Sequence, residues 1–148
     1  MTIEAVIDTD ILVYAHDAAD KTKHERARRV LDRLHGGGGF LTTQVLGEFY
    51  SVVTRTLNPR MTSVEAAEQL ENLALSFPVL DVSSSIVLTA ARDAASHKLS
   101  YWDAQVWATA LLNGVAVVLS EDCQHGRSLA GVLFQNPFAA DFDWDLLG

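Results

Sequence analysis

Ile3-Glu4-Ala5-Val6-Ile7-Asp8-Thr9-Asp10-Ile11-Leu12-Val13-Tyr14-Ala15 is the stretch whose reading decides the fold. Ile3 to Ile7 is a short, mostly apolar run that ends at an acid, which is the pattern of a buried strand. Asp10 to Ala15 then opens a helix. The same order recurs downstream. From Thr22 to His35 the apolar residues Ala27, Val30, Leu31 and Leu34 form one helical face. Gly36 to Gly39 stop that helix and read as a turn, since they lack the Gly-Lys-Ser/Thr of a phosphate loop. Phe40 and Leu41 give a brief strand. Thr42 or Thr43 then caps a helix through about Thr56, with Val45, Phe49, Val52 and Val53 inward.

Asn58-Pro59 breaks the chain. Thr62-Ser63-Val64-Glu65 is a capping box opening a helix to about Ser76. Pro78 to Asp81 is a short strand, and Ser83 to Ser85 cap a helix reaching about His97. Ser100 opens a helix through Asn113, with Ala104, Trp107, Ala108 and Leu111 on one face. Val115 to Leu119 is an unbroken apolar strand, and Gly131 to Phe134 a last one. The acidic tail from Asp141 to Gly148 is expected to be loose. Strands alternating with helices predict one α/β domain over residues 1–148, with a mainly parallel central sheet flanked by helices on both faces.

Composition narrows the function. The chain has 148 residues, 49% hydrophobic and 20% charged, enough for one core and unlike a disordered segment. No run approaches the roughly 20 apolar residues of a membrane span. The start has no basic region ahead of its apolar run, so no signal peptide is read and the cytoplasm is the expected compartment. The lone Cys123 excludes an internal disulfide framework and a Cys-based zinc site. The five histidines show no metal-ligand spacing. Net charge is −8, the wrong sign for holding nucleic acid by bulk electrostatics. Six of the 11 bases lie between Lys21 and Arg33, which reads first as a solvated helix face.

Ligands of open α/β sheets bind beyond the carboxyl ends of the strands. Asp8 follows the first strand directly, with Asp10 two residues on. Glu48 lies in the early turns of the helix after the second strand. Asp103 lies in the first turn of the helix that returns to Val115, and Asp122 follows Leu119. A parallel sheet therefore brings four acids from four distant segments to one edge. Each has a plainer reading: Asp8 as a helix cap, Asp103 as part of a capping box with Ser100, Glu48 on a solvent stripe, Asp122 as a loop acid. Together they are costly, because like charges disfavour one another's ionisation. A hard divalent cation removes the conflict, and oxygen donors are what Mg²⁺ or Mn²⁺ prefers. Such a metal activates water and stabilises a phosphoryl transition state.

Four segments carry a family resemblance. Val6-Ile7-Asp8-Thr9-Asp10-Ile11-Leu12-Val13-Tyr14-Ala15 resembles the opening motif of PIN-domain nucleases. Val45-Leu46-Gly47-Glu48-Phe49-Tyr50, Ser100-Tyr101-Trp102-Asp103-Ala104 and Leu119-Ser120-Glu121-Asp122 resemble the second, third and fourth. Among small single-domain chains the likeness is to VapC-type toxins of toxin–antitoxin pairs. The resemblance implies a Mg²⁺- or Mn²⁺-dependent endoribonuclease that leaves 5′-phosphate and 3′-hydroxyl ends on a structured RNA. It also implies a homodimer and a cognate antitoxin that blocks the site. Asp8 and Asp103 would be the central metal ligands, with Glu48 and Asp122 binding metal directly or through water. Ser120 takes the small hydroxyl position before the last acid. Asp10 stands where an Asn is common, and Glu121 beside Asp122 makes the fourth acid ambiguous; spacing from Ser120 favours Asp122.

Two rival readings use the same residues. A strand followed by Asp8-Thr9-Asp10 also resembles haloacid dehalogenase-type phosphatases, with Asp8 as nucleophile and Glu121-Asp122 as metal-binding acids. That reading gives Glu48 and Asp103 no role, and offers only Lys98 for the phosphate. A binding module whose acids engage a basic partner also fits the charge. For a nuclease, the acidic surface repels RNA, so metal and the Lys21 to Arg33 segment are expected to offset it locally. Trp102 and Trp107 are expected in the core, and His125 and Arg127 as loop decoration.

Overall fold

Asp8 ends the first strand and caps the helix that follows, its Oδ1 accepting from the Thr9 amide at 2.8 Å. That strand-to-helix step sets the architecture of the computed structural model, which describes residues 3–148. In chain order the elements are β1 (Ala5–Ile7), α1 (Thr9–His16), α2 (Lys21–Leu34), β2 (Gly39–Thr42), α3 (Thr43–Arg55), α4 (Ser63–Ser76) and β3 (Val79–Leu80). Then come α5 (Ser84–Ala94), α6 (Tyr101–Leu112), β4 (Val117–Leu119), β5 (Ser128–Leu129), β6 (Val132–Gln135) and a 3₁₀ turn (Trp144–Leu147). The caps read from the sequence form. Thr42 accepts from Val45 N, Ser83 from Ile86 N and Ser100 from Asp103 N, while Thr62 and Glu65 close a capping box.

The sheet order is β3-β2-β1-β4-β6-β5, parallel throughout except for β5 against β6. The chain leaves β1 toward β2 on one side and returns to β4 on the other, so a topological switch point lies between β1 and β4. Alternation along the strands separates two cores. Ala5, Ile7, Leu41, Val117 and Leu119 join Phe49, Val30 and Leu34 on the face covered by α1 to α4. Val6, Val118 and Phe134 join Trp107 and Ile86 on the face covered by α5 and α6. Full burial of side chains such as Phe49 and Leu119 contributes about 1.5–3 kcal/mol each. Among the described residues, no helix is long and apolar enough to cross a membrane.

Three features differ from expectation. Gly39 belongs to β2 rather than to the turn before it: a Cβ there would lie 3.0 Å from Leu34 Cβ and Phe77 Cδ1. β5 pairs back on β6 through Ala130 and Gly131, both at positive φ. Alanine at that position is a poor signal for such a turn, which favours Asn-Gly.

The acidic tail is docked. Phe142 and Leu147 are buried against the α1–α4 face. Arg26 Nε and Nη2 donate to the Pro137 and Ala139 carbonyls at 2.7 and 2.9 Å. Arg29 lies over the Trp144 ring at 4.1 Å, and Arg33 Nη1 reaches the Gly148 carbonyl at 2.7 Å. Apolar residues within the tail outweigh its charge, and the α2 cations satisfy its carbonyls. Three of the six cations between Lys21 and Arg33 therefore hold the tail and Lys23 pairs with Glu121, while Lys21 and Arg28 keep to an exposed face.

Candidate metal centre at the carboxyl edge of the sheet

Asp8 sits where β1 ends. Its backbone amide donates to the Leu119 carbonyl at 2.9 Å, tying the end of β1 to that of β4. Ser120, the buried residue after β4, donates from Oγ to Asp8 Oδ2 at 2.8 Å, and the same oxygen lies 3.4 Å from Asp10 Oδ2. The turn beyond β4 folds back through Ser120: the Asp122 amide donates to its Oγ at 3.2 Å, while the Glu121 amide donates to Asp10 Oδ2 at 2.8 Å. A hydroxyl before the last acid thus braces two carboxylates and the loop that follows.

The other acids arrive from the helices. Glu48 lies on α3, its Oε2 accepting from Thr9 Oγ1 at 3.2 Å. Asp103 stands in the first turn of α6, where an acid also suits the helix dipole. Asp8, Glu48, Asp103 and Asp122 line one cavity of about 70 Å³, together with Asp10 and Thr9. An adjoining cavity of about 110 Å³ shares Asp8, Asp103 and Asp122 and is bounded by Lys98 and Arg127. The four acids of the sequence reading are therefore brought together. Among the described residues, no cation pairs with any of them or with Asp10.

The ambiguity between the two neighbouring acids also takes a definite form. Glu121 accepts from Tyr14 Oη at 3.0 Å and pairs with Lys23 Nζ at 2.5 Å. Asp122 is exposed at the mouth of the cavity. Ligand atoms of Asp10, Glu121 and Asp122 nonetheless lie within 4.8 Å of one another. Asp10 is thus as much a part of this acidic cluster as the four.

Electrostatics registers the crowding. Burial pushes Asp10 up to about 8, the charges of Asp8 and Asp122 adding to it against hydrogen bonds from the Glu121 and Ile11 amides. Burial also pushes Asp8 up to about 6, with Glu48 and Asp103 adding to it against Thr9 and Ser120. Asp103 is raised as well, by burial and then by Asp122 and Glu48. Asp10 Oδ1 is buried without a hydrogen-bond partner. A buried, unpaired carboxylate oxygen is expensive. An all-oxygen donor set with one oxygen unsatisfied fits a hard divalent cation, which would accept that oxygen and offset the repulsion. Burial, with the charges of Asp10 and Asp8, pushes the Cys123 thiol to about 12, so it is no nucleophile near neutral pH.

Sequence reasoning missed several neighbours. Thr9, one residue of the first motif, orients Glu48. Trp107 is buried as expected, its Nε1 donating to the Leu129 carbonyl at 3.2 Å, but Trp102 is 61% exposed and stands beside Glu48. Five positions on a helix separate them by roughly 140°, so they cannot share a face, and that spacing was the available signal. His125 and Arg127 serve the loop: His125 Nδ1 accepts from the Asn136 amide and Arg127 donates to the His97 carbonyl.

Comparison with known proteins bears on the family and the fold. Residues 5–127 match the sequence model of one family, the PIN domain. A comparison with curated proteins finds no match. Similar solved structures include VapC20 of Mycobacterium tuberculosis, described as a sarcin-ricin loop cleaving toxin. It is 20% identical, with a TM-score of 0.63 over 78% of this chain and 87% of that one. VapBC-1 of nontypeable Haemophilus influenzae is 18% identical, with a TM-score of 0.64 over 93% and 100%. VapBC2 of Rickettsia felis, bound to a DNA fragment from its promoter, is 12% identical, with a TM-score of 0.62 over 90% and 98%.

Proposed function

The chain belongs to the PIN-domain family, and on that premise we propose that it is a metal-dependent endoribonuclease acting as the toxin of a type II toxin–antitoxin pair. The observation that carries this reading is the shared cavity of Asp8, Glu48, Asp103 and Asp122 at the switch point of the sheet. Asp8 and Asp103 would be the central residues holding Mg²⁺ or Mn²⁺, and Glu48 and Asp122 would complete the donor set. When bound, such a cation supplies a more acidic water and charge stabilisation at a phosphodiester.

The chain's own residues prepare the site. Ser120 holds Asp8 by donating to its Oδ2, and Thr9 aims Glu48 by donating to its Oε2. Lys23 and Tyr14 engage the Glu121 carboxylate, whereas Asp122 at the mouth has no such partner among the described residues and is the fourth acid of the proposal. Lys98 and Arg127 bound the adjoining cavity and offer positive charge on the side from which a phosphate would approach. The phosphatase reading leaves Glu48 and Asp103 idle, although both line the cavity of Asp8.

The toxin assignment, with RNA as substrate, a cognate antitoxin and a homodimer as partners, rests on the likeness in fold to VapC20 and to VapBC complexes. Induced expression of the wild-type chain in a bacterial host tests it. The expected result is growth arrest with new RNA 5′-phosphate ends at a few sites, both absent for Asp103→Asn and both relieved by the antitoxin. Equal arrest by Asp103→Asn, or arrest without new RNA ends, would contradict it.

A further inference from the structure

Beside the acidic cavity lies an open groove of about 640 Å³, lined by Thr43, Gln44, Gly47, Val82, Trp102 and Gln105, with Glu48 at its inner end. One wall is the exposed indole of Trp102, held edge-on to Tyr101 with ring centroids 5.0 Å apart. The floor is a chain of hydrogen bonds. Tyr101 Oη donates to Gln105 Oε1 at 2.6 Å, Gln105 Nε2 to Gln44 Oε1 at 2.8 Å, and Gln44 Nε2 to both Glu48 Oε1 and the Trp102 carbonyl. These bonds fix two amides and an aromatic wall next to a catalytic acid.

A second observation points the same way. Gly47 lies inside α3, where glycine costs about 1 kcal/mol relative to alanine. No packing demands it: a Cβ there would meet nothing within 4 Å, and the space beyond is the groove. Its helix is weakened at the point where a side chain would project into that space.

We propose that this groove is a nucleobase subsite, in which a base of a single-stranded stretch of RNA stacks on Trp102, the bonded Gln44 and Gln105 side chains serving as a rigid floor beneath it. The inference rests on the nuclease reading and names the part of the substrate that the site grips. It also answers the charge problem. The net charge is −8, and Arg26, Arg29 and Arg33 are turned to the tail, so beyond the phosphate beside Lys98 and Arg127 charge attraction is a poor source of affinity. Stacking needs no net positive charge, and every base has a face to offer.

The test is a fluorescence titration of the full-length chain in Mg²⁺ with a mixed-sequence, 5′-hydroxyl single-stranded oligoribonucleotide. An Asp8→Asn background keeps the probe intact. Trp107 is buried and Trp144 lies under Arg29, so Trp102 is the solvent-facing indole that reports. The expected result is quenching that Trp102→Phe removes. Affinity, read in every variant by the anisotropy of the same RNA carrying a 3′ dye, should fall roughly 5- to 150-fold in Trp102→Ala, the range that one stacked base supports, and recover largely in Trp102→Phe. Gly47→Leu, whose Cβ would meet nothing within 4 Å and whose side chain would project into the groove, should weaken binding comparably. Affinity should change less than about 3-fold between roughly 50 and 200 mM salt, since few phosphate contacts are made.

Unchanged affinity in both Trp102→Ala and Gly47→Leu would overturn the subsite even if the wild-type chain cleaves RNA. Quenching that depends on Trp102 while the wild-type chain cleaves no RNA in Mg²⁺ or Mn²⁺ would uphold the subsite and remove the nuclease reading. Indole emission that shifts with protein concentration but ignores RNA would overturn the subsite and assign this face to a second copy of the chain.

Discussion

Asp10 concentrates the chemistry of the site in one residue. It accepts the Glu121 amide with one oxygen and leaves the other buried and unpaired, close to Asp8 and Asp122. Its carboxyl therefore prefers to be protonated. A raised native pKa means that the folded state binds more protons than the unfolded state between about pH 4 and 8. Stability without metal therefore falls as pH rises through that window. Denaturant unfolding of the wild type and Asp10→Asn, at about pH 4.5 and pH 8 in chelator, measures this. The variant is expected to gain on the wild type by a few kcal/mol between the two pH values, and Mg²⁺ to close the gap by binding native protein. A gap that shrinks with pH in chelator would contradict the assignment. The individual acids were legible from their places after strands and in first turns. Thr9 and Gln44 were not, because one-sequence periodicity says nothing about which hydroxyl or amide reaches a carboxylate across the sheet edge.

At the scale of elements, the helix starts were the most legible features, since each carries its own chemistry. Thr42, Thr62, Ser83 and Ser100 all cap where their side chains predict. Ser100 matters most for function, because the α6 N-terminus carries Asp103. Ser100→Ala is expected to cost about 1 kcal/mol of stability, measured by denaturant unfolding, and to lower RNA cleavage through a less well-placed Asp103. Full activity with that loss of stability would show that Asp103 is held by helix packing alone. What escaped sequence reading were elements decided by non-local partners. β5 exists only because β6 pairs with it, and Gly39 is in a strand because Leu34 and Phe77 leave no room for a side chain. The exposure of Trp102 is hard to read because α6 is apolar nearly all round, which blurs its buried face.

For the whole molecule, the parallel order was readable from alternating strands and helices, and with it the edge where the acids meet. The destination of the tail was not. Its acidity suggested a loose end, but Phe142 and Leu147 enter the core, and α2 supplies arginines for its carbonyls and for Trp144. Four of the six cations that the sequence offered to RNA are thereby engaged within the fold, which is why the proposal puts substrate affinity on the metal and the exposed indole. The central claim is that convergent carboxylates hold a divalent cation for RNA hydrolysis. The most direct measurement is cleavage of total cellular RNA by the purified, antitoxin-free chain, with Mn²⁺ or Mg²⁺, with chelator, and with Asp8→Asn. The account predicts discrete fragments that vanish with chelator and fall on the order of 100-fold or more with Asp8→Asn. Fragments that persist in chelator, or that Asp8→Asn makes as fast as the wild type, would contradict it.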